Sequence, residues 1–371
     1  MKPTDMPGRP IETGRMSAII SRSIARPKVD LCGFLPDEIA DLLSPLDDTP
    51  YRGTQLFSWI QARRVTNFDE MTNLPASLRE QLSRMFTISR MEPAEVLASE
   101  DGSSKLVFDV GDGSVSSVIM PSPERVTLCI SSQVGCRMGC RFCLTGTMGR
   151  TRNLTPAEMV GQVLAASRLV EPPARVSNVV FMGMGEPLDN LDNVIQAIRI
   201  MTHREGLRVA PRRTTLSTVG LLPRLRDFLA AETGASIALS LCGTTDAQRT
   251  GMTPVGKKYG LEDTVKALRD MRLGHGHRYT VEYLLIRGHG DSVDDARRLS
   301  RMLAHFPSKV NLIPFNPWPG SPLQRPTNRA VEEFRRFLVG KNHLVTVRES
   351  RGIDIGAACG QLGKTSDGEI D

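Results

Sequence analysis

Two hydrophobic periodicities divide this chain. From residue 29 to about 95, apolar positions recur at helical spacing. Leu35-Pro36-Asp37-Glu38-Ile39-Ala40-Asp41-Leu42-Leu43 opens one amphipathic segment, and Gly53-Thr54-Gln55-Leu56-Phe57-Ser58-Trp59-Ile60 a second. From about 96 to 362 strand and helix patterns alternate. β-rich runs fall at Val126–Ser131, Asn178–Met182, Arg213–Thr218, Ser236–Leu241, Tyr279–Ile286, Val310–Phe315 and Leu344–Arg348, with helical patterns between them. One helix opens at Thr155-Pro156-Ala157-Glu158, with a Thr N-cap, Pro at the first helical position and Glu completing a capping box. Met159, Val160, Val163 and Leu164 then supply a buried stripe. Alternating strands and helices predict parallel strands joined by right-handed crossovers. Six or seven such units predict an α/β fold: a partial or full parallel β/α barrel with a small N-terminal helical domain. A doubly wound open sheet is the alternative.

Composition refines this picture. The 371 residues, 40% of them hydrophobic, suffice for one large domain and a small accessory one. The expected organisation is a disordered tail over 1–28, a helical accessory domain over 29–95, the β/α domain over 96–363 and a tail over 364–371. The first tail is rich in Arg, Pro and Ser and lacks the apolar stretch of a secretory signal; a cleaved transit peptide is the alternative reading. No apolar run approaches the roughly 20 residues of a membrane span, so no membrane is expected and a cytoplasmic location is. The net charge of +6 suits an RNA partner and is also common in ordinary soluble proteins. Arg204, Arg208, Arg212, Arg213, Arg224 and Arg226 are dense enough for a phosphate-facing surface, and equally fit a solvated face with salt bridges.

The seven cysteines, without a secretory signal, read as reduced thiols. Three of them, Cys136, Cys140 and Cys143, fall within eight residues just after a predicted strand. Thiolates select zinc or iron–sulfur clusters. A structural zinc site needs four ligands, and no fourth Cys or His sits nearby with paired spacing. Three ligands suit a four-iron cluster with one iron open to a cofactor; zinc and unliganded core cysteines are the alternatives. Phe181-Met182-Gly183-Met184-Gly185-Glu186-Pro187 follows the next strand. Glycines there let a backbone approach closely, and a carboxylate can meet an ammonium. Ser217, Ser240 and Asn316 sit where later strands should end. A lone Ser in such a place is usually a turn or cap residue, but barrel active sites gather at the C-terminal strand ends. Cys359, flanked by Ala and Gly, is either a buried structural thiol or a nucleophile with room for a substrate. Cys129 by itself reads as core.

The Cys136–Cys143 spacing and the Gly-x-Gly-Glu-Pro segment resemble the radical S-adenosylmethionine superfamily. That resemblance implies a four-iron cluster on Cys136, Cys140 and Cys143, whose open iron chelates S-adenosylmethionine and generates a 5′-deoxyadenosyl radical. Four segments narrow it: Thr127-Leu128-Cys129-Ile130-Ser131-Ser132-Gln133-Val134-Gly135-Cys136, Gly183-Met184-Gly185-Glu186-Pro187-Leu188, Asn311-Leu312-Ile313-Pro314-Phe315-Asn316-Pro317 and Ala357-Ala358-Cys359-Gly360-Gln361-Leu362. Together they resemble the RlmN family of ribosomal RNA adenine-C2 methyltransferases, whose relatives also act on transfer RNA. The similarity runs from roughly residue 30 to 363 and takes in Phe68-Asp69-Glu70-Met71-Thr72 of the accessory helices.

The family resemblance implies a ping-pong scheme. Cys359 takes a methyl group from one S-adenosylmethionine; the radical from a second removes a hydrogen from that methyl. The resulting methylene radical adds to adenine, and Cys129 attacks Cys359, forming a disulfide and releasing the base. Cofactor contacts carried over are Gly185, Glu186, Ser217, Ser240, Leu241, Cys242 and Asn316. An external electron donor such as flavodoxin, a monomeric state and RNA binding by the N-terminal helices are also expected.

Two positions depart from the family pattern. The family's Val-Glu-Thr-Val, whose Glu is the proposed adenine base, is here Val115-Ser116-Ser117-Val118. Ser116 has no comparable basicity, so Glu100, Glu124 or water would have to substitute, or the step differs. The family's Ser-Leu-His-Ala is here Ser240-Leu241-Cys242-Gly243. These departures leave open a different radical enzyme, methylating C8 or another substrate. A non-catalytic metal-containing RNA-binding module is the remaining alternative, and it would need no thiol at Cys359.

Overall fold

The structure, a computed structural model, describes residues 28–46, 49–271, 278–304 and 307–363. Apart from Lys28, the tails expected at 1–28 and 364–371 lie outside the described residues. Two short strands, β1 (Val29–Asp30) and β2 (Phe86–Thr87), pair in parallel and bracket three helices. In α1 (Pro36–Leu43) the Glu38 carboxylate accepts the Leu35 backbone N–H at 2.7 Å. α2 (Tyr51–Gln61) crosses α1 so closely that a Cβ on Gly53 would lie 2.1 Å from the Pro36 carbonyl oxygen. Only glycine permits that approach. α3 (Ala76–Met85) completes the layer. Leu31, Ile39, Leu56, Phe57 and Leu82 are fully buried and share one continuous hydrophobic core with the sheet. Burying each such side chain contributes about 1.5–3 kcal/mol, so this layer is welded to the rest rather than hung from a linker.

The main sheet has ten strands. β3 (Glu95–Ala98), β4 (Ser104–Asp109) and β5 (Ser114–Ser122) form an antiparallel meander that ends on β6 (Arg125–Cys129). A separate hairpin, β7 (Gln133–Cys136) and β8 (Gly149–Asn153), encloses the short helix α4 (Leu144–Thr147). α5 (Pro156–Leu169) follows with the expected capping box: Thr155 Oγ1 accepts the Glu158 N–H at 3.2 Å, and Glu158 accepts the Thr155 N–H at 2.8 Å. β9 (Val176–Phe181), α6 (Leu191–Thr202), β10 (Thr214–Thr218), α7 (Leu222–Ala230) and β11 (Ser236–Leu241) continue the alternation. Next come α8 (Asp246–Met252), α9 (Val255–Lys258), α10 (Leu261–Asp270), β12 (Tyr279–Leu285), α11 (Val293–Leu303), β13 (Ser308–Pro314), α12 (Asn328–Val339) and β14 (Leu344–Val347).

The seven strands predicted from the pattern are all present and parallel, in the order β6, β9, β10, β11, β12, β13, β14. Between the two options, the barrel is partial: among the described residues no pairing joins β14 to β3. The meander of β3 to β5 was not anticipated, because its strands are joined by tight turns and carry no helix between them.

Register decides what faces the interior. Ser240, Glu282, Asn311 and Thr346 are direct neighbours across β11, β12, β13 and β14. They form a polar row: Ser217 donates to Glu282 at 3.1 Å, Asn311 Nδ2 to Glu282 at 3.5 Å, and Thr346 to the Asn311 side-chain oxygen at 3.0 Å. On β5 and β6, Val118 lies directly opposite Cys129. Leu241, the next residue along from Ser240, points to the opposite face and joins the main core.

Candidate active site

Two adjoining cavities open at the C-terminal end of the parallel strands. The larger, about 850 Å³ including its open mouth, is lined among others by Cys143, Gly185, Glu186, Ser217, Ser240, Cys242, Glu282 and Cys359. The smaller, about 450 Å³, holds Cys129, Met182, Asn316, Arg348 and Cys359. Met182, Ile313, Cys359 and Leu362 border both. Cys359 therefore stands at the junction, with Cys129 on one side and the Cys143–Glu186 rim on the other. Of the sequence-predicted site residues, Leu241 joins the main core, and Cys136 and Cys140 lie in a buried cluster behind Cys143 and line neither cavity.

Cys136, at the end of β7, and Cys140 are buried in an apolar cluster with Met138 and Val255, and Phe142, Cys143, Val219, Leu221 and Tyr259 pack against it. Burial pushes the Cys136 thiol up to about 12 and raises Cys140 and Cys143 as well. The donor set is three soft thiols on a loop, with Cys143 facing the cavity. That set fits a polynuclear iron–sulfur group better than zinc.

The glycines after β9 allow a close backbone approach within the protein, and Gly183 and Gly185 also line the larger cavity. A Cβ on Gly183 would lie 2.7 Å from the Ile130 carbonyl carbon, and one on Gly185 would lie 2.7 Å from Gln133 Cβ. Their close approach is to the protein's own β6–β7 connection. Gly185 also has φ +105°, which other residues rarely adopt. This packing seats Glu186, whose backbone N–H donates to Gln133 at 2.9 Å. The Glu186 carboxylate accepts N–H groups from Leu188 and Val219, each at 3.0 Å. Burial outweighs these bonds and lifts the carboxyl to about 7.

Cys129 is buried and Cys359 is exposed to the cleft. Burial pushes their thiols up to about 12 and about 11, and the Arg348 guanidinium pulls both down. Arg348 Nη1 lies 3.6 Å from Glu282 and 3.1 Å from Met182 Sδ. This ion pair beneath the two thiols escaped sequence reasoning. Its signal was an acid at the centre of the otherwise apolar run Tyr279–Leu285. The Cys359 loop is held by Asn316 Nδ2, which donates to the Cys359 carbonyl at 3.1 Å, and by Leu144 N–H to the Gly360 carbonyl at 2.8 Å. All seven cysteines are free thiols, so the Cys129–Cys359 disulfide is not a resident bond of this structure. With both thiols raised well above neutral pH, both sulfurs stay protonated, the form that cannot attack.

The position lacking the family Glu is also clear. Ser116 is buried on the face of β5 that carries Val118 and Met120 toward the smaller cavity. Glu100 and Glu124 are exposed on turns and line neither cavity, which removes both as substitutes. Glu186 and Glu282 are the carboxylates among the described lining residues. Cys242 is buried, with its thiol raised to about 12 by burial.

Comparison with known proteins agrees with this geometry. Residues 29–88 match the family model for the ribosomal RNA large subunit methyltransferase N-terminal domain, and residues 130–300 match the radical SAM superfamily. The dual-specificity RNA methyltransferase RlmN of Geobacter sulfurreducens is 46% identical over 335 residues, covering 90% of this chain and 92% of that protein. The RlmN protein of Geotalea uraniireducens is 44% identical over 336 residues, covering 90% and 96%. The crystal structure of a radical SAM methyltransferase from Sphaerobacter thermophilus superposes with a TM-score of 0.86 at 37% identity, covering 90% of this chain and 99% of that one. With the cysteine loop, the Gly-x-Gly-Glu-Pro turn and the thiol at the cavity junction all in one cleft, this chain belongs to the RlmN family of radical SAM methyltransferases.

Proposed function

We propose that this chain methylates C2 of an adenine in large-subunit ribosomal RNA, and in transfer RNA, with the methyl group passing through Cys359. The observation that carries the reading is the junction: Cys359 borders both the cofactor-sized cleft and the cavity of Cys129. The relatives named dual-specificity RNA methyltransferases support the substrate class. Cys136, Cys140 and Cys143 would hold a four-iron cluster, and Gly185, Glu186, Ser217, Ser240, the Cys242 backbone and Asn316 would line S-adenosylmethionine. Together these groups supply a methyl donor and the radical chemistry of the superfamily, which suits a ring carbon that is not nucleophilic.

The chain's own residues do the rest. Cys359 must lose its proton to accept a methyl group, and Arg348 is the partly buried cation that favours its thiolate. Once the carbon is joined to the base, the Cys129 thiolate attacks the Cys359 sulfur. An S–S bond forms as the S–C bond breaks, and the electron pair stays with the carbon. That carbon takes up a proton to become the methyl group, in exchange for the proton lost from C2, and leaves with the adenine. An external two-electron reductant later restores both thiols. The N-terminal helices and the arginines from Arg204 to Arg226 would hold the RNA through its phosphates, and the target base would be flipped into the cleft. No helix among the described residues is long and apolar enough to cross a membrane.

Mass spectrometry of ribosomal and transfer RNA from a deletion strain tests the reading. The expected result is loss of an adenine C2 methyl group, restored by the intact gene and not by Cys359→Ala. An unchanged methyladenosine profile, or loss at C8 instead, would overturn it.

A further inference from the structure

We propose that Arg249 is the fixed internal counter-charge of the iron–sulfur cluster, favouring its loaded and reduced forms. The inference rests on the assignment of Cys136, Cys140 and Cys143 as cluster ligands. Arg249, on α8, has 0% exposure and heads the largest fully buried side chains of the protein. Its Nη2 donates to the Val219 carbonyl at 2.9 Å and its Nε to the Tyr259 carbonyl at 3.4 Å. Its Nη1 is buried with no hydrogen-bond partner among the described residues. The carboxylate that acts on it most is Asp246, which is occupied at 2.7 Å by the Leu261 N–H.

A guanidinium stays charged throughout the accessible pH range. Burying a charge without a counter-charge is among the most costly arrangements a fold can contain. Compensation has to come from an anion that the fold can bring to it. The groups that most favour its charge are the sulfurs of Cys242 and Cys140. Val219 and Tyr259, whose carbonyls it holds, pack directly on the cluster of Cys136, Met138, Cys140 and Val255. Gly256 fits around it so tightly that a Cβ there would lie 3.0 Å from Arg249 Cγ. The side chain is thus locked behind the cysteine loop. Ligand thiols must be deprotonated to bind metal, and three thiolates there supply the missing negative charge. The Val219 peptide links the arrangement to the cofactor side, because its N–H donates to Glu186 while its carbonyl accepts from Arg249.

A nearby fixed cation stabilises the more negative, reduced form of a cluster, and net charge is one of the terms that set cluster potentials. One electron from an external reductant enters the cluster; no bond to Arg249 forms or breaks. The test compares Arg249→Met, Arg249→Gln and Arg249→Lys with wild type after anaerobic reconstitution of the full chain. Two readouts separate the proposal from a packing role. The first is the ratio of reduced to oxidised cluster, followed by electron paramagnetic resonance at one dithionite-poised potential. We expect a fall of about tenfold in Arg249→Met and Arg249→Gln, equivalent to about 59 mV for a one-electron couple, with Arg249→Lys near wild type. The second is the gain in thermal midpoint on loading iron and sulfide, which should shrink in the two neutral variants. A packing role alone shifts metal-free and loaded midpoints in parallel and leaves the ratio unchanged, and that result would overturn the proposal. If Arg249→Met does not fold, the Lys and Gln variants decide alone, and equal ratios in those two overturn it. A wild-type protein that takes up no iron would overturn the cluster assignment itself, an outcome distinct from loading that is indifferent to Arg249.

Discussion

Two groups of cysteines share one mouth of the barrel, and each has an arginine behind it, Arg249 fully buried and Arg348 partly so. The pair Cys129 and Cys359 sits above Arg348, which is already matched by Glu282 at 3.6 Å. The triplet Cys136, Cys140 and Cys143 sits in front of Arg249, which has no carboxylate partner and one unpaired N–H among the described residues. A matched cation leaves nearby thiols protonated until a reaction step needs them, and Arg348 only moderates the burial that lifts Cys129 and Cys359. An unmatched cation makes permanent negative charge welcome. In the proposed scheme the difference separates thiols that would cycle between states from thiols that would stay ligated.

The largest expected effect breaks the pair. Cys359→Ala should abolish RNA methylation altogether, because no thiol remains to carry the methyl group. Cys129→Ala should stop after one turnover with RNA covalently attached through a methylene bridge, visible as a retarded band on a denaturing gel. The double variant Cys129→Ala with Cys359→Ala should show no such band. A freely turning-over Cys129→Ala enzyme would remove Cys129 from the mechanism.

A smaller effect tests the matched cation. In metal-free protein, iodoacetamide should alkylate Cys359 ahead of Cys129, since Cys359 is exposed to the cleft and has the lower of the two raised thiols, about 11 against about 12. The thiolate is the reactive form. Because neutral pH lies far below that value, the rate should rise about tenfold per unit between roughly pH 7 and 9. Arg348→Met should shift the profile upward by about one unit. A buried unit charge several ångströms away is worth on the order of 2 kcal/mol at an effective dielectric near 20, and one unit is about 1.4 kcal/mol. Peptide mapping by mass spectrometry at each pH reads both sites. An unshifted or downward profile would mean that Arg348 acts on neither thiol.

The smallest effect is a control that touches neither group. Thr155→Ala removes the cap that accepts the Glu158 N–H at 3.2 Å. It should cost about 1 kcal/mol of stability, read as a lower denaturant midpoint, while the alkylation order of the cysteines stays the same. A changed order would show that the cavity responds to global stability and would weaken any local reading of Arg348.

The chain by itself determined whatever is encoded at short range. The cap at Thr155, the seven parallel strands and the three clustered cysteines are each written within one turn or one strand, where backbone geometry links neighbouring residues directly. Tertiary structure decided the rest. Cys359 stands between two cavities because Asn316 and Leu144 hold its loop. That Ser240, Glu282, Asn311 and Thr346 form one row, and that Arg348 reaches Glu282 from the end of β14, depend on register between strands. Sheet packing sets that register, and a one-residue slip would turn every one of these side chains to the other face. The same cause sends the Leu241 side chain into the core, whereas Glu100 and Glu124 lie on exposed turns that border neither cavity. Arg249 shows the limit most clearly. In sequence it is one arginine among many, and only three-dimensional burial, which withholds both water and a carboxylate, makes its charge a demand on the site.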